Sequence, residues 1–452
     1  MTVSQTIFDY LSKTDRYMNQ LNNLSFDTAE NLYDVLDDIA QIATEYIKEI
    51  DPQLRVTICD RRDMVLERIV DFSPSYNKGD NYKTIFSPAL KFYGRWENVE
   101  LMKDCGLVGY KLAKELGISP VMLFGTKADD YPYLLNLPGL EMLYNDSEQE
   151  LERTYFTHLE ESYSDMDILL LYGMYSHSVE YLNTYRKLRP DGKVYCGLDM
   201  NSYWMSTTPW NSSDASQFAT QCDVIATSCR SMRDALNNNP QVSFACHWFT
   251  NGFYNPSGIP VIANPETKEN IILTVGRIGT FQKNNEELLS AFAKAADTLE
   301  SWSLRFIGSV ENAFHEYIEN YFSEYPHLKN RVIFTGPIAD KKELYNEYAK
   351  AKIFALSSRQ EGFPNVYAEA LFHGCMFITS DIDAADDMTD SGKLGIKYPL
   401  YDVNALQNGL IELCTKADKH GMRKHINEAC KYAEKYFDWN RNAKKLAYML
   451  FK

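Results

Sequence analysis

Two glutamates, Glu361 and Glu369, have the residue type and spacing that most directly indicate chemistry in this sequence. They lie in the stretch SSRQEGFPNVYAEALFHG, residues 357–374. An apolar strand-like run precedes this stretch, which begins as a loop and continues with residues of helical composition. This order places Glu361 on the loop and Glu369 about one turn into the helix. Both carboxylates could therefore flank a ligand held at the start of the helix.

The start of that helix would hold such a ligand through its backbone. Pro364 and Asn365 stand at the first turn, so the N–H groups of Asn365, Val366 and Tyr367 would point out of the helix end and could bind an anion. A carboxylate beside an anion is unfavourable unless it accepts hydrogen bonds from hydroxyl groups. A sugar nucleotide, which carries phosphate and several hydroxyls, satisfies both conditions. Acidic residues also stabilise any helix start, by about 0.3 to 1 kcal/mol per charge, so the spacing alone leaves a purely structural role open.

The segment EGFPNVYAEAL, with seven residues between Glu361 and Glu369, resembles the signature of the retaining glycosyltransferases of family 4, which have the GT-B fold. The resemblance extends through the C-terminal half of the chain. It implies that Glu361 holds hydroxyls of the donor sugar and that Glu369 holds ribose hydroxyls. The donor-binding residues expected on this basis are Gly276, Gly336, Ile338, Gly362, Phe363, Pro364, Asn365, Val366 and Glu369.

A second loop, in ILTVGRIGTFQKNNEELL (residues 272–289), supplies positive charge. In the family, the Gly-Arg and Lys positions of this loop grip the nucleotide diphosphate, which implies that role for Arg277 and Lys283. Arginine can bind two phosphate oxygens at once, lysine adds a mobile charge, and each charge-assisted hydrogen bond contributes roughly 1.5 to 3 kcal/mol. We therefore expect Glu361, Arg277 and Lys283 to be the catalytic residues, and we expect no metal ion and no other cofactor. Ordinary solvated loop charge is the alternative for both cations.

Recognition of the nucleobase is expected at residues 334–338, FTGPI, which are similar to the family segment whose backbone meets the base. Family prevalence makes uracil the first choice and guanine the second. Gly308 follows another strand-like run. It either lets the backbone approach the nucleotide or forms a plain strand-end turn.

Two Asp-x-Asp triplets bear on the expected absence of a metal, because transferases of the other common fold hold a divalent ion with such a triplet. The first, Asp165 to Asp167, is interpreted as a solvated loop. The second, Asp381 to Asp383, is interpreted as loop structure or as a sugar contact. Family members often carry paired glycines just after it, whereas this chain has Ala384 and Ala385.

The N-terminal half departs from the family pattern. Many relatives have a glycine-rich loop after the first strand, whereas this chain has Lys103, Asp104 and Gly106 before a helix. Gly106 could admit phosphate or acceptor to that helix start. Relatives also have a histidine at the end of the fourth strand, where this chain offers Tyr172. His177 is the nearest substitute, and a plain helix-start role is its alternative.

A polar and aromatic cluster follows the next strand-like run of this half. Asp199 and Asn201 precede Tyr203 and Trp204. Sugars stack on aromatic faces and bond to Asp and Asn side chains, so we expect Asp199 and Asn201 to contact the acceptor or the donor sugar. Core packing of Trp204 is the alternative.

The elements that must position these residues alternate between strand-like and helical runs in both halves, which predicts an α/β protein with two Rossmann-like domains facing a cleft, the GT-B fold. Residues 1–52 are expected to form an N-terminal helical extension. Its helices either pack on the first domain or form an element that binds a partner or mediates oligomerisation. Residues 53–255 form the acceptor-side domain, residues 256–430 the nucleotide-sugar domain, and residues 431–452 a C-terminal helix that packs back on the first domain. The linker is placed between Asn255 and Pro265.

The composition of the chain indicates which classes of binding partner are unfavourable. The 452 residues carry a net charge of −16, which disfavours a nucleic-acid partner and makes membrane contact peripheral at most. The nine cysteines are scattered without a CxxC pair, which indicates reduced thiols. No stretch has the composition of a signal peptide or a membrane span, so a cytoplasmic location is expected.

The function expected is that of a metal-independent retaining hexosyltransferase. It would move a hexose or N-acetylhexosamine from a nucleotide-diphosphate sugar, UDP-linked by preference, to a glycan, lipid-linked or protein acceptor in bacterial cell-surface glycan assembly. A homo-oligomer or a partner transferase is compatible with the sequence. The alternative is a non-catalytic GT-B subunit that binds acceptor and chaperones an active transferase, and an epimerase or phosphorylase on the same fold is a third class.

Overall fold

The computed structural model describes residues 2–76, 84–88, 98–126, 130–145, 151–256, 261 and 263–452. The chain forms two compact units, one of Met1–Ser257 with Asp438–Lys452 and one of Gly258–Phe437. The predicted linker lies partly outside the described residues. None of the described helices combines the length and the apolar character that a membrane span requires. All nine cysteines lie in the described part of the chain, and all are free thiols.

The first unit begins with three helices: α1 (Val3–Met18), α2 (Phe26–Glu45) and α3 (Pro52–Asp71). The helical region continues past residue 52, where the extension was expected to end, because Asp51 and Pro52 start α3. The Asp51 carboxylate accepts the backbone N–H groups of Gln53 at 2.7 Å and Leu54 at 3.3 Å, and Pro52 occupies the first helical position. Proline suits that position, since it lacks only an N–H that the first turn would leave unbonded.

A parallel sheet follows, and its seven strands among the described residues have the order β3-β2-β1-β4-β5-β6-β7. Apolar runs such as residues 168–171 are buried, as expected for strands covered on both faces. The strands are β1 (Thr84–Pro88), β2 (Ser119–Thr126), β3 (Glu141–Asn145), β4 (Ile168–Tyr172), β5 (Lys193–Leu198), β6 (Val224–Thr227) and β7 (His247–Trp248). The accompanying helices are α4 (Asp104–Leu116), α5 (Leu151–Ser162), α6 (Ser176–Leu188), α7 (Ser202–Thr207), α8 (Ser213–Gln221) and α9 (Arg230–Asn237).

The second unit repeats this plan around a parallel sheet whose described strands have the order β10-β9-β8-β11-β12-β13. The strands are β8 (Glu269–Val275), β9 (Ser303–Ile307), β10 (Val332–Phe334), β11 (Ala351–Leu356), β12 (Met376–Ser380) and β13 (Gly395–Tyr398). The helices are α10 (Asn285–Ala295), α11 (His315–Glu324), α12 (Lys341–Lys350), α13 (Asn365–Phe372), α14 (Ala385–Thr389), α15 (Val403–Lys416) and α16 (Lys419–Tyr436). The predicted pair of Rossmann-like domains is confirmed.

The C-terminal segment differs from the single helix expected over residues 431–452. Helix α16 ends at Tyr436, and α17 (Trp439–Phe451) starts anew with Asp438 as its cap, whose carboxylate accepts the N–H of Asn440 at 2.8 Å. Helix α17 belongs to the first unit. Arg441 binds Glu67 of α3 at 2.9 Å, and the amide of Asn442 donates to the carbonyl of Thr250 at 3.0 Å.

Buried charged contacts attach α3 to α9 and to the backbone just before β7. Arg233 of α9 has a fully buried side chain that bonds to Asp63 and meets Asp60 at 2.7 Å and Asp234 at 2.6 Å. Arg62, also fully buried, donates to the carbonyl of Cys246 at 2.9 Å. Charges removed from water need such partners, so α3 is a structural part of this unit.

The variant Arg233→Met should lower the free energy of unfolding of this unit by about 3 to 5 kcal/mol, because Asp63 would stay buried without its cation. Arg423→Met is the matched control, since Arg423 is 67% exposed and meets Glu266 at 3.2 Å on the surface. The control should change the unfolding free energy by at most about 1 kcal/mol. Chemical denaturation measures both variants, and equal effects would contradict the assigned role of the buried cluster.

Candidate functional site

The site residues of the second unit lie where the strand order of its sheet reverses. Strands β8 and β11 are neighbours, with Leu273 opposite Phe354, but the chain continues from β8 towards β9 on one side and from β11 towards β12 on the other. The loops that follow the two strands, residues 276–284 and 357–364, therefore diverge at the carboxyl edge of the sheet. In open α/β sheets this reversal is the place where ligands bind.

Lys283 and Glu361 meet at this edge, although 77 residues separate them in the chain. The Lys283 Nζ lies 2.5 Å from the Glu361 Oε1, and the two side chains are only 16% and 9% exposed. The same carboxylate accepts the Ser358 hydroxyl at 2.7 Å and the Gln282 side-chain amide at 3.0 Å. Glu361 is therefore held in one orientation by three donors from two loops.

Backbone contacts join the two loops as well. The Ser357 hydroxyl lies 3.0 Å from the carbonyl oxygens of both Lys283 and Asn284, and the N–H of Arg359 donates to the carbonyl of Gln282 at 2.8 Å. The relative position of Lys283 and Glu361 is thus set by the strand pairing and by these bonds, and it does not rest on the ion pair alone.

Arg277 is connected to Glu361 indirectly, through the side chain of Gln282. Its side chain is exposed, and its guanidinium donates to the Gln282 Oε1 at 3.3 Å, while Gln282 itself binds Glu361. Glu361, Lys283 and Arg277 are three of the four charged residues nominated from the C-terminal half. They are therefore linked through Gln282 or by direct contact.

Three glycines line the ends of adjacent strands. Gly276 follows β8, Gly308 follows β9, and Gly336 follows β10, all with positive φ. A Cβ on Gly308 would stand 1.8 Å from the carbonyl oxygen of Gly276, and the N–H of Gly308 donates to the carbonyl of Gly336 at 3.1 Å. Gly308 is required by this close approach of backbones. Ile338, two residues beyond Gly336, is partly buried.

Glu369 has a lysine partner that the sequence did not reveal. Its Oε1 lies 2.7 Å from the Nζ of Lys341, and its Oε2 accepts the Tyr348 hydroxyl at 2.9 Å. Lys341 is the first residue of α12, in a segment between β10 and β11. Only the packing of α12 against α13 brings it to Glu369, so no local spacing could have predicted the contact.

The helix start at α13 fits the prediction in part. Pro364 caps the helix and Asn365 is its first residue, but the N–H of Tyr367 donates to the carbonyl of Pro364 at 3.0 Å. Tyr367 is thus engaged within the helix, and the expected anion site is reduced to Asn365 and Val366. The Phe363 ring is buried against Phe437, with ring centroids 5.5 Å apart. Phe363 can therefore face a ligand only with its backbone.

The two Asp-x-Asp triplets have structural partners. Asp167 is fully buried and pairs with Arg189 at 2.6 Å, so the predicted solvated loop is wrong at this residue. Asp381 meets Lys397 at 3.3 Å, and the adjacent Ala384 has ordinary helical dihedral angles, which do not require glycine. In the part of the chain that the structure describes, no group of three or more His, Cys, Asp or Glu side chains is arranged to hold a metal ion.

Three of the residues nominated in the first unit come together. Tyr172 ends β4, Asp199 follows the neighbouring strand β5, and Asp104 begins α4. Burial raises the pKa of Tyr172 well above its usual range, and the charges of Asp104 and Asp199 raise it further. The hydroxyl therefore stays protonated and can donate to a ligand across the ordinary pH range.

The other nominated residues of this unit have structural roles or fall outside the description. A Cβ on Gly106 would stand 2.4 Å from the carbonyl oxygen of Leu101, so backbone packing explains this glycine, and Lys103 occupies the cap position of α4. Asn201 caps α7 by accepting the N–H of Trp204 at 3.1 Å. The alternative that Trp204 packs in the core is wrong, since 43% of this residue is exposed. The side chain of His177 lies outside the described residues.

A family model matches most of the second unit. Residues 269–416, from β8 through α15, match the model of the family described as Glycosyl transferases group 1. The matched region contains both loops, both glutamates and the three strand-end glycines. The second unit is similar to the group 1 glycosyltransferases over these residues, and it is called the group 1 unit below.

Known proteins support this family and the fold. A stretch of 190 residues is 27% identical to the poly(glycerol-phosphate) alpha-glucosyltransferase of Bacillus subtilis (strain 168). This stretch covers 41% of this chain and 27% of the relative. The match thus spans about a quarter of the relative's length. Sucrose-phosphate synthase from Thermosynechococcus elongatus has a similar structure, with a TM-score of 0.60 and 17% identity over 80% of this chain and 97% of the other. HepE of Anabaena, solved with UDP and glucose, is similar with a TM-score of 0.58 and 16% identity, and the match covers 82% of this chain and 99% of HepE. The fold of the chain is GT-B.

Two buried histidines lie behind α13 of the group 1 unit. The His373 Nδ1 bonds to the carbonyl of Glu369 at 2.6 Å, and the His425 Nε2 bonds to the carbonyl of Cys375 at 2.8 Å. Carbonyl oxygens only accept, so each ring nitrogen donates. Burial, together with the charge of the buried Lys268, lowers the pKa of each histidine to about 4.

The variant Gly308→Ala should lower the free energy of unfolding of the group 1 unit by roughly 2 to 4 kcal/mol, because the new methyl group overlaps the Gly276 carbonyl. Gly392→Ala is the matched control, since Gly392 also has positive φ but a Cβ there meets no described atom within 4 Å. The control should cost only about 1 kcal/mol from its backbone conformation. Denaturant titration compares them, and an equal loss would show that the close approach of Gly308 to Gly276 is not limiting.

Acidification should destabilise the group 1 unit through His373 and His425. Each is neutral when folded and binds a proton when unfolded, so the free energy of unfolding falls as the pH drops from about 6.5 towards about 4, by about 3 kcal/mol per histidine. Denaturation curves at pH 7, 5.5 and 4 measure this loss. His425→Gln should make the loss smaller, and an unchanged pH dependence would refute the assignment to this residue.

Proposed function

We propose that this protein is a retaining glycosyltransferase that moves a hexose or N-acetylhexosamine from a UDP-sugar to a glycan, lipid-linked or protein acceptor in bacterial cell-surface glycan assembly. The observation that carries the proposal is the contact of Lys283 with Glu361 at the sheet reversal, 2.5 Å between Nζ and Oε1. It combines a cation for phosphate with a carboxylate for sugar hydroxyls in one place.

The charges of the site suit both ends of such a donor. The Lys283 ammonium has three N–H donors, of which one meets Glu361, so it can bind a diphosphate oxygen while it still orients the carboxylate. Arg277 adds a fork of donors on an exposed side chain that a phosphate can reach. Glu361 then accepts hydroxyl hydrogens of the sugar on its remaining lone pairs.

Glu369 is assigned to the ribose. Lys341 and the Tyr348 hydroxyl each bind one of its oxygens, which fixes the orientation of the carboxylate. An ionised carboxylate accepts hydrogen bonds only, and the two ribose hydroxyls can donate to its remaining lone pairs. The strand-end backbone around Gly336 is assigned to the uracil.

The chemistry that these groups support is displacement with retention. The acceptor hydroxyl attacks the anomeric carbon on the face from which the diphosphate departs, and the departing phosphate oxygen takes the hydroxyl proton. No nucleophile from the protein is needed. Lys283 and Arg277 bind the leaving group more tightly as its negative charge grows, at roughly 1.5 to 3 kcal/mol for each charge-assisted bond. The proposal assigns no step to a metal ion or another cofactor.

Similar proteins support the choice of substrates. The Bacillus subtilis relative is named as an alpha-glucosyltransferase acting on poly(glycerol-phosphate), and the HepE structure is described with UDP and glucose. Both names fit a hexose donor, and the second fits uridine as its base.

Removing either partner of the central ion pair should abolish transfer. Glu361→Ala and Lys283→Ala should each lower the rate by about 100-fold or more, because a charge that acts on the leaving group or the sugar is lost. The matched controls are Glu412→Ala and Lys416→Ala. These residues form a surface ion pair, with 2.5 Å between Oε1 and Nζ, and their side chains are 53% and 62% exposed. Release of UDP from a panel of UDP-sugars measures activity.

Binding and folding are measured in parallel so that their loss is not mistaken for lost chemistry. Circular dichroism of all four variants should match the wild type. UDP should raise the unfolding temperature of the wild type more than GDP does, since a ligand that binds only the folded state stabilises it. Wild-type rates in either site variant would refute the proposed roles, and UDP binding without any transfer or hydrolysis would favour the non-catalytic subunit.

A further inference from the structure

Two exposed aromatic side chains lie against the Arg359 guanidinium beside the proposed donor site. The guanidinium carbon of Arg359 lies 4.3 Å from the ring centroid of Phe281 and 5.7 Å from that of Tyr401. Phe281 is 75% exposed and Tyr401 is 64% exposed. The three residues follow β8, β11 and β13, so they lie at the same carboxyl edge as Lys283 and Glu361.

The guanidinium of Arg359 is occupied within the protein. It donates to the carbonyl of Phe281 and, at 2.8 Å, to the Glu286 Oε1, and the Arg359 backbone N–H donates to Gln282. Its side chain is only 14% exposed. Arg359 therefore acts as a fixed spacer between two rings, and the surface that remains for a ligand is aromatic rather than anion-binding.

Tyr401 is held in a backbone conformation that a large side chain rarely adopts. Its φ is +68°, and Asn284 beside Lys283 has a φ of +48°. The buried carboxylate of Glu287 lies between them, since Asn284 donates to its Oε2 and the backbone N–H of Tyr401 faces the same group. Left-handed backbone at a non-glycine residue costs free energy and is concentrated at functional positions. The core does not require the Tyr401 ring, which is mostly in solvent.

We propose that Phe281 and Tyr401 form a platform on which a neutral sugar ring of the acceptor glycan stacks. The C–H faces of a pyranose are apolar and are buried well against aromatic rings, while its hydroxyls point outwards to water. Because Glu286 and the carbonyl of Phe281 already bind the Arg359 guanidinium, a sugar ring suits this surface better than a phosphate group.

The place of the platform also indicates the acceptor. The acceptor hydroxyl must come within about 3 to 3.5 Å of the anomeric carbon, so the surface that binds the acceptor must adjoin the residues that hold the donor. Phe281 lies two residues before Lys283 and Arg359 two residues before Glu361, and Gln282 joins the two loops. This inference rests on the proposed glycosyl transfer.

The test uses the full chain with saturating UDP on an array of neutral oligosaccharides that contain glucose, galactose or N-acetylglucosamine. Tyr401→Asn removes the ring with a residue that tolerates left-handed backbone, and Phe281→Ala removes the other ring. Each should weaken binding of the glycans that the wild type retains by about tenfold, since burial of one ring against a sugar is worth on the order of one factor of ten. Tyr401→Phe, which keeps the ring, should bind as the wild type does.

Phe8→Ala is the matched control, since Phe8 is a 55% exposed aromatic on α1 of the other unit, and it should change nothing. The temperature shift with UDP should be the same in all variants. Unchanged glycan binding by Tyr401→Asn and Phe281→Ala, or no glycan binding by the wild type, would overturn the platform. A weaker UDP shift in these variants would also overturn it, because the two rings would then serve the donor. A wild type that UDP does not stabilise would instead refute the proposed function.

Discussion

The pairing of β8 with β11 is the constraint on which the site depends. It places the ends of two strands that are distant in sequence side by side, and it turns the chain in opposite directions on the two sides of that point. Lys283 and Glu361 can meet only because of this geometry. Their low exposure means that little water screens the pair, while Ser358 and Gln282 supply the further hydrogen bonds that a desolvated carboxylate needs.

The site divides its charges in a regular way within an acidic protein. Each glutamate of the motif has its own lysine, Lys283 for Glu361 and Lys341 for Glu369, and the two lysines come from different connections of the sheet. With a net charge of −16, the chain as a whole repels an anionic donor. Local cations at the carboxyl edge are therefore needed to make binding favourable, and their neighbouring carboxylates keep them in place.

The N-terminal helices are part of the first unit and not an appendage. Buried residues of α2 and α3, such as Leu36 and Ile58, belong to the same apolar cluster as Ile168 and Leu170 of the sheet and Leu446 of α17. The buried arginines Arg62 and Arg233 add charged contacts that cannot be opened without leaving carboxylates unpaired. Packing on the first unit accounts for this segment.

The sequence by itself determined the elements and the chemistry that they carry. The alternation of strand-like and helical runs predicted the two parallel sheets, since strands covered on both faces are mostly apolar. The sequence also identified the two loops with their carboxylates and cations. Sequence reasoning failed where a residue's role depends on a distant partner, as at Asp167, which looked solvated but pairs with Arg189. Only the tertiary structure decided that Lys341 meets Glu369, that Gln282 and Ser358 hold Glu361, and that Tyr401 projects beside Arg359. Those contacts follow from strand order and helix packing, which join segments whose separation along the chain carries no record of their distance in space.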